Sequence, residues 1–269
     1  MPTVNVPKQG KSPPGALKII GGGFQGRVYL VDLGSGNLVA KKVTPNGPDS
    51  VRELRVLRLL REHPHVIHLI VGYEDEGDII LVMPVLQQTL QEVLTERSQN
   101  GSHWSWQCTK NGFLRGLGLK ITKALTYVHE KTGCVHGDIK GNNVMVQNQE
   151  PCIIDFGCTT EDDSANGDVQ SVTMLFIYIG WFKTLSELQR DAIKQFPGHV
   201  DADDCFAKDL ALYSVFEQYE IALRILPHST KEFHNVLAMG FFVKINIYDL
   251  FLHLQKCTAV VSEDSTPGP

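Results

Sequence analysis

The sequence lacks the features that place a chain in a membrane or in an oxidising compartment. Its longest apolar run, Val172 to Phe182, is interrupted by Thr173 and Gly180 and is shorter than the roughly 20 residues that cross a bilayer. No apolar segment of the signal-peptide kind follows Met1, and the six cysteines form no C-x-x-C pair. We therefore expect an intracellular protein with reduced thiols, no membrane contact and no structural zinc.

An excess of positive charge is also absent. Lysine and arginine number 25 against 30 aspartates and glutamates, which makes the formal net charge −5 and the pI about 6.0. Because nucleic-acid binding draws on clustered positive charge, this balance gives no reason to expect a nucleic acid as partner. A chain of 269 residues with 42% hydrophobic content can form one large domain or two closely packed lobes. We expect it to be a monomer.

Composition and periodicity divide the chain into four parts. Residues 1–15 and 262–269 are rich in proline, glycine and polar residues and are expected to be disordered. Residues 16–86 show short β-type runs around one helix, and residues 87–261 show mainly helical spacing. This pattern predicts a small β-rich lobe followed by a larger helical lobe, with the active site in the cleft between them.

Two helices can be predicted in more detail. Ser50 is the expected N-cap of the helix in the small lobe. The buried stripe of that helix should follow i, i+3 spacing: Val51, Leu54, Leu57 and Leu60. In the larger lobe, apolar residues repeat at helical spacing shortly before the most informative segment of the chain: Leu117, Ile121, Leu125 and Val128.

That segment, Val135 to Gly157, contains a set of residues suited to phosphoryl transfer. It places Asp138, Lys140 and Asn143 in fixed order ahead of Asp155. One carboxylate can accept the proton of an attacking hydroxyl. An asparagine and a second carboxylate offer the oxygen ligands that magnesium prefers. A lysine beside them can neutralise charge on a transferring phosphoryl group.

A glycine-rich run near the start of the chain predicts a phosphate-binding hairpin. The run Gly21-Gly22-Gly23-Phe24-Gln25-Gly26-Arg27-Val28 fits G-x-G-x-x-G-x-V. Glycines at these places let the backbone approach phosphates without a Cβ clash. No helix signal follows, which argues against a dinucleotide-binding fold. Alone, the run is also consistent with an ordinary glycine-rich turn.

Two adjacent lysines end the next predicted strand. Because strand side chains alternate between faces, Lys41 and Lys42 point in opposite directions. We expect Lys42 to be the lysine that contacts phosphates. Glu53, on the helix of the small lobe, is the expected acidic partner of Lys42. The exchange of the roles of Lys41 and Lys42 is the alternative.

Together, the glycine run, the V-A-x-K lysine, D-x-K-x-x-N and D-F-G resemble the protein-kinase family from about Leu17 to Asp168. The resemblance implies an α+β fold of two lobes, the small one β-rich with one helix and the larger one mainly helical. It also implies ATP and Mg²⁺ as cofactors and serine or threonine hydroxyls of protein substrates as acceptors.

The resemblance implies a role for individual residues as well. Asp138 would be the general base, Lys140 would screen charge, and Asn143 and Asp155 would bind magnesium. The nucleotide-binding residues would be Gly21, Gly22, Gly23, Phe24, Gln25, Gly26, Val28, Ala40, Lys42, Glu53, Met83, Pro84, Leu86 and Met145. Three of these (Met83, Pro84 and Leu86) would form the hinge that receives the adenine.

The chain departs from the family pattern at three places. Gly137 replaces the arginine of H-R-D, so we expect activity without phosphorylation of the activation loop. Only twelve residues, 156–167, separate Asp155 from Asp168, which resembles the aspartate that anchors the catalytic loop. No A-P-E and no late D-x-x-x-x-R is present.

These departures leave other functions open. Without the usual protein-docking platform, a small-molecule phosphotransferase of the aminoglycoside or choline kinase type is the main alternative. The H-G-D triplet also resembles that of the minimal kinases of tRNA-modifying complexes. The short segment after Asp155 and the missing motifs resemble those of compact viral kinases. Lys140, Glu53 and the complete glycine run favour a protein kinase. A pseudokinase scaffold would require a missing lysine, aspartate or asparagine, and none is missing.

Overall fold

The chain folds into two compact units. The computed structural model describes residues 13–23, 26–99, 113–161, 167–173, 175 and 245–259. The first unit contains the described residues up to Arg61 together with Ile67–Val85. The second contains Glu62–Val66 and the described residues from Leu86 onward. The fold is therefore mixed α+β, as the sequence predicts.

A five-stranded antiparallel sheet forms most of the first unit. Its strands are β1 (Ala16–Gly23), β2 (Gly26–Asp32), β3 (Leu38–Pro45), β4 (Val71–Asp75) and β5 (Asp78–Pro84), in the order β1-β2-β3-β5-β4. The predicted turn between β2 and β3 is confirmed, since the Leu33 N–H donates to the Asn37 carbonyl at 2.9 Å. Gly34, Ser35 and Gly36 all have positive φ there, which explains the two glycines.

Alternation along β3 gives the sheet two different faces. Lys41 lies opposite Tyr29 and Val82, whereas Lys42 lies opposite Val28 and Leu81. The face with Lys41 carries an apolar cluster of buried side chains: Tyr29, Val31, Val39, Ile80 and Val82.

Helix α1 (Pro48–Leu59) begins earlier than the sequence suggests. Gly47 is the N-cap, and Ser50 lies within the first turn, where its Oγ accepts the Gly47 N–H at 2.9 Å. The prediction of Ser50 as N-cap is wrong because Pro48, with its fixed φ and missing N–H, starts the helix. Val51 is also not part of the buried stripe, since it is 47% exposed. The buried residues of α1 are Ser50, Glu53, Leu54, Val56 and Leu57.

The second unit is built around α3 (Phe113–Thr132), which packs against α4 (Ile247–Ala259). The predicted helical stripe is confirmed, because its four members are at most 2% exposed: Leu117, Ile121, Leu125 and Val128. Strand β6 (Gln88–Thr89) and helix α2 (Leu90–Gln99) precede α3 in the sequence. A 3-10 turn (Gly141–Asn143) and the strands β7 (Val144–Gln147) and β8 (Glu150–Ile153) lie between α3 and α4. Across these described ranges, no helix combines the length and hydropathy that a bilayer crossing needs.

The hairpin of β7 and β8 explains why Glu62–Val66 belongs to the second unit. Val66 forms a parallel bridge with Ile153, and the Ile153 N–H donates to the His65 carbonyl at 2.9 Å. His65 Nδ1 lies 3.0 Å from the Pro151 carbonyl, so Nδ1 carries the proton that it donates. Strand β8, which leads to Asp155, is thus held at Pro151 and Ile153 by hydrogen bonds to the side chain and the carbonyl of His65.

The burial pattern of α1 gives a test of the fold. We expect Leu57→Ala to lower the free energy of unfolding by about 2–5 kcal/mol, because it opens a cavity at a leucine that is 1% exposed. Leu59→Ala is the matched control on the same helix, since Leu59 is 51% exposed and its truncation should cost less than about 1 kcal/mol. Urea denaturation measures both. Equal losses would contradict the placement of α1.

Candidate active site

One face of the five-stranded sheet collects several of the predicted nucleotide-binding residues. In the cross-strand register, Gly21 lies opposite Val28, Val28 opposite Lys42, and Ala40 opposite Met83. Because Ala40 and Lys42 are two residues apart on β3, they face the same side. These five residues therefore form one continuous surface of the first unit.

The glycine-rich run joins β1 to β2. Gly21–Gly23 end β1 and Gly26 begins β2, whereas Phe24 and Gln25 lie outside the described residues. Gly26 has a φ of 131°, and a Cβ there would lie 2.5 Å from the Val43 carbonyl oxygen. Gly26 is thus required by its close approach to β3, whatever contact the run makes with phosphates.

Lys42 is held by Glu53 in a buried ion pair. Its Nζ lies 2.7 Å from Oε1 and 2.9 Å from Oε2 of Glu53, and both residues are buried. Lys41 instead points to the opposite face, where its Nζ lies 6.0 Å from the ring centroid of Tyr73. The predicted pairing is present, and this geometry assigns the fixed cation to Lys42. A buried ammonium without its carboxylate would be costly, so the pair is kept as a unit.

The loop of residues 136–143, which we call the catalytic loop, brings Asp138, Lys140 and Asn143 together. Asp138 Oδ2 accepts hydrogen bonds from Lys140 Nζ at 2.8 Å and from Asn143 Nδ2 at 2.8 Å. Asn143 Nδ2 also donates to the Asp138 carbonyl at 2.9 Å. The 3-10 turn at Gly141–Asn143 makes this possible, because it folds the chain back on itself within five residues.

Asn143 and Asp155 carry oxygen atoms of the kinds that magnesium prefers. Both Asn143 Nδ2 hydrogen bonds go to Asp138, which leaves Asn143 Oδ1 as a possible ligand. The Asn143 carbonyl accepts the Ile154 N–H at 3.0 Å, so Asn143 lies beside the residue that precedes Asp155. No group of three or more histidines, cysteines or carboxylates suited to a metal occurs in the described ranges. One amide and one carboxylate suit a magnesium ion that is shared with nucleotide phosphates.

The last predicted adenine contacts are distributed over both units. Met83 and Pro84 end β5 in the first unit, while Leu86 and Met145 belong to the second. Met145 lies on β7, opposite Thr89. The roles of these residues at an adenine stay predictions.

Comparison with known proteins decides the family. A model of the protein kinase domain matches residues 16–179, which is more than half of the chain. This chain belongs to the protein kinase family. The prediction from D-x-K-x-x-N, D-F-G and the glycine run is therefore confirmed.

The kinase domain is similar to proteins with varied names. Cyclin-dependent kinase-like 4 of Mus musculus is 31% identical over 150 residues, which cover 52% of this chain and 41% of that protein. Salt tolerance receptor-like cytoplasmic kinase 1 of Oryza sativa subsp. japonica is 33% identical over 149 residues, covering 52% and 40%. CTD kinase subunit alpha of Schizosaccharomyces pombe is 28% identical over 169 residues, covering 58% and 27%. The chain spans less than half of the length of these relatives.

His136 is a buried residue of the catalytic loop that hydrogen-bonds to the amide of Asp138. It is fully buried, and its ring packs edge-on against Phe156 with 4.8 Å between centroids. Its Nε2 lies 3.0 Å from the Ile154 carbonyl and must donate, so Nδ1 is the acceptor for the Asp138 N–H at 3.3 Å. Burial lowers the pKa of His136 below its ordinary value. The neutral imidazole therefore ties Asp138 to the strand that leads to Asp155.

Asp168 anchors the same loop through its backbone amides. Its carboxylate accepts the N–H groups of His136 at 2.7 Å and Gly137 at 2.9 Å, and lies 2.8 Å from Nε2 of His129. Burial acts to raise the pKa of Asp168, but the bonds from His129 and the two amides outweigh it and leave the pKa below its ordinary value. Asp168 therefore binds the backbone of the catalytic loop, as the sequence leads us to expect.

His129 is a residue of the site that sequence reasoning missed. It lies in the last turn of α3, one turn after Leu125, and bonds to Asp168. The sequence does contain a signal for this contact, since His129 lies beside the buried stripe of α3. A partly buried histidine at such a place requires a polar partner.

The buried imidazole of His136 generates a pH test. As pH falls below about 6.5, histidine protonates in the unfolded chain before His136 does in the folded one. Burial of His136 therefore makes the free energy of unfolding fall with decreasing pH, and this decline continues down to its lowered folded pKa. We expect His136→Gln, which cannot titrate, to show a shallower decline in urea denaturation between pH 7.5 and 5 (a range of about 2.5 units around the histidine pKa). His68→Gln, at an exposed position, is the control. Equal slopes for wild type and His136→Gln would contradict the role assigned to burial.

Proposed function

We propose that this chain transfers the γ-phosphoryl group of ATP, with Mg²⁺, to serine or threonine hydroxyls of protein substrates. The observation that carries the proposal is the geometry around Asp138, whose Oδ2 is held by both Lys140 and Asn143. Two donors on one carboxylate oxygen fix the orientation of the other. Membership of the kinase family supports the same chemistry.

Asp138 would act as the general base. In the described part of the chain, Oδ1 of Asp138 has no hydrogen-bond partner, whereas Oδ2 has two. Oδ1 can therefore accept the proton of the attacking hydroxyl. Lys140 is half exposed and reaches Asp138 with its Nζ, so its charge lies where negative charge develops on the transferring group.

Lysine and backbone groups of the first unit would contact the phosphates of the nucleotide. Lys42, fixed by Glu53, would bind the α- and β-phosphates, and the backbone of the glycine-rich run would approach them. Asn143 Oδ1 and the Asp155 carboxylate would hold magnesium. When bound, magnesium would supply positive charge that offsets the negative charge of the phosphates and lowers the barrier to transfer.

The acceptor class is the finer part of the proposal. Lys140 favours a protein hydroxyl, since small-molecule phosphotransferases of related sequence usually lack that lysine. The relatives named above are themselves called kinases. Gly137 in place of arginine supports activity without a phosphate on the activation loop. The intracellular location and the monomeric state stay predictions.

Transfer of label tests the function and the role of Asp138 together. With radiolabelled ATP and Mg²⁺, we expect label on serine or threonine of generic acidic or basic proteins, and none on choline or an aminoglycoside. Asp138→Asn should lower turnover about 10²–10⁴-fold, because it removes the proton acceptor, while ATP affinity stays nearly intact.

Asp75→Asn, at an exposed position of β4, is the control for that substitution and should keep full turnover. Label on a small alcohol alone would move the chain to the metabolite kinases. No transfer despite ATP binding would support a scaffold. Equal losses of turnover and ATP affinity in Asp138→Asn would refute its role as base.

The adjacent lysines provide a second test. We expect Lys42→Met to lower turnover by at least about 10²-fold, because one fixed cation on the phosphates is lost, and Lys41→Met to have little effect. Since Lys42→Met leaves Glu53 buried without its partner, the double variant Lys42→Met/Glu53→Gln serves as the control for stability in thermal melts. Retained turnover in a folded Lys42→Met protein would transfer the role to Lys41.

A further inference from the structure

The segment that follows Asp155 is joined to the catalytic loop by main-chain contacts. Val135 and Thr160 form an antiparallel bridge, with N–H to carbonyl distances of 2.9 Å in one direction and 3.3 Å in the other. Within the segment, the Oγ1 of the buried Thr159 donates to the Phe156 carbonyl at 2.9 Å. The residues from Phe156 to Thr160 are thus held in one conformation by bonds that need no phosphate.

Between these bonds the segment passes Gly137 at a distance that only glycine permits. Gly137 has a φ of 80°, and a Cβ there would lie 2.6 Å from the carbonyl oxygen of Cys158 and 3.4 Å from its carbon. Both atoms belong to the backbone, so no side-chain rotation could relieve the overlap. The Gly137 N–H is engaged as well, because it donates to Asp168 at 2.9 Å.

We propose that Gly137 is a positioning residue, which keeps the segment after Asp155 against the catalytic loop through its close contact with the Cys158 carbonyl. This inference rests on the proposed phosphotransfer. Gly137 precedes Asp138 directly, and Cys158 follows Asp155 by three residues. A displacement at the contact therefore reaches both the base and the metal ligand. The contact would hold this segment without the pairing of an H-R-D arginine with a phosphate.

A second glycine in the same region allows a matched comparison. Gly133 has a φ of 66°, but nothing lies within 4 Å of the Cβ that would be added there. Alanine at either position carries the strain of positive φ. Only alanine at Gly137 must also push the Cys158 carbonyl away. The pair Gly137→Ala and Gly133→Ala therefore separates the contact from the backbone strain.

The experiment measures turnover, KM for ATP, thermal stability and amide hydrogen exchange on phosphatase-treated protein. We expect Gly133→Ala to lower stability and to leave kcat unchanged. Gly137→Ala should lower kcat about a hundredfold at a temperature where it is fully folded, since small misplacements of catalytic groups have effects of that size. In Gly137→Ala alone, the amides of Val135 and Thr160 should exchange at least about tenfold faster.

Several results would overturn the inference. Equal kcat values in the two variants would do so, and so would a fall in kcat for Gly137→Ala without faster exchange at Val135 and Thr160. If Gly137→Ala does not fold, the wild-type protein decides: unphosphorylated wild type must protect both amides, and rapid exchange there contradicts the proposal. Failure of the proposed function is recognised separately, because the wild-type protein would then transfer no label from ATP to serine or threonine of any protein.

Discussion

The buried carboxylate of Asp168 is the interaction on which the geometry of the catalytic loop depends. It accepts the amides of His136 and Gly137 and is bonded to His129. The His136 amide is buried, so water could not replace Asp168 as its partner, and without the carboxylate this N–H would be left without a hydrogen bond. Because His136 is fixed in this way, its ring can hold the Asp138 amide and the Ile154 carbonyl at once.

The charged groups of the two units are held in place by different physical means. In the first, a lysine and a glutamate are buried together, so their charges fix each other in an environment that would penalise either alone. In the second, Asp138 stays partly exposed and is oriented by a lysine and an asparagine within the same short loop. Burial thus fixes the ammonium of Lys42, whereas the carboxylate of Asp138 is oriented while it stays partly exposed.

Much of this could be predicted because it depends on local chemistry. The strands around the Gly34–Asn37 turn and the stripe of α3 follow from periodicity and turn residues, and both are present. Periodicity gives the spacing of a stripe but not its phase, however. The predicted N-cap Ser50 lies three residues after the actual N-cap, Gly47, and Val51 lies one residue away from the buried Ser50. The start of the helix at Pro48 depends on backbone geometry that apolar spacing does not encode.

The sequence by itself determined which functional groups are present and in what order: Asp138, Lys140, Asn143 and Asp155, with Lys42 and Glu53 ahead of them. Only the tertiary structure decided which lysine meets Glu53, that His129 bonds to Asp168, and that Gly137 touches the Cys158 carbonyl. The physical reason is that these contacts join residues far apart in the chain. Their distances are set by the packing of whole strands and helices, which residue order alone does not specify.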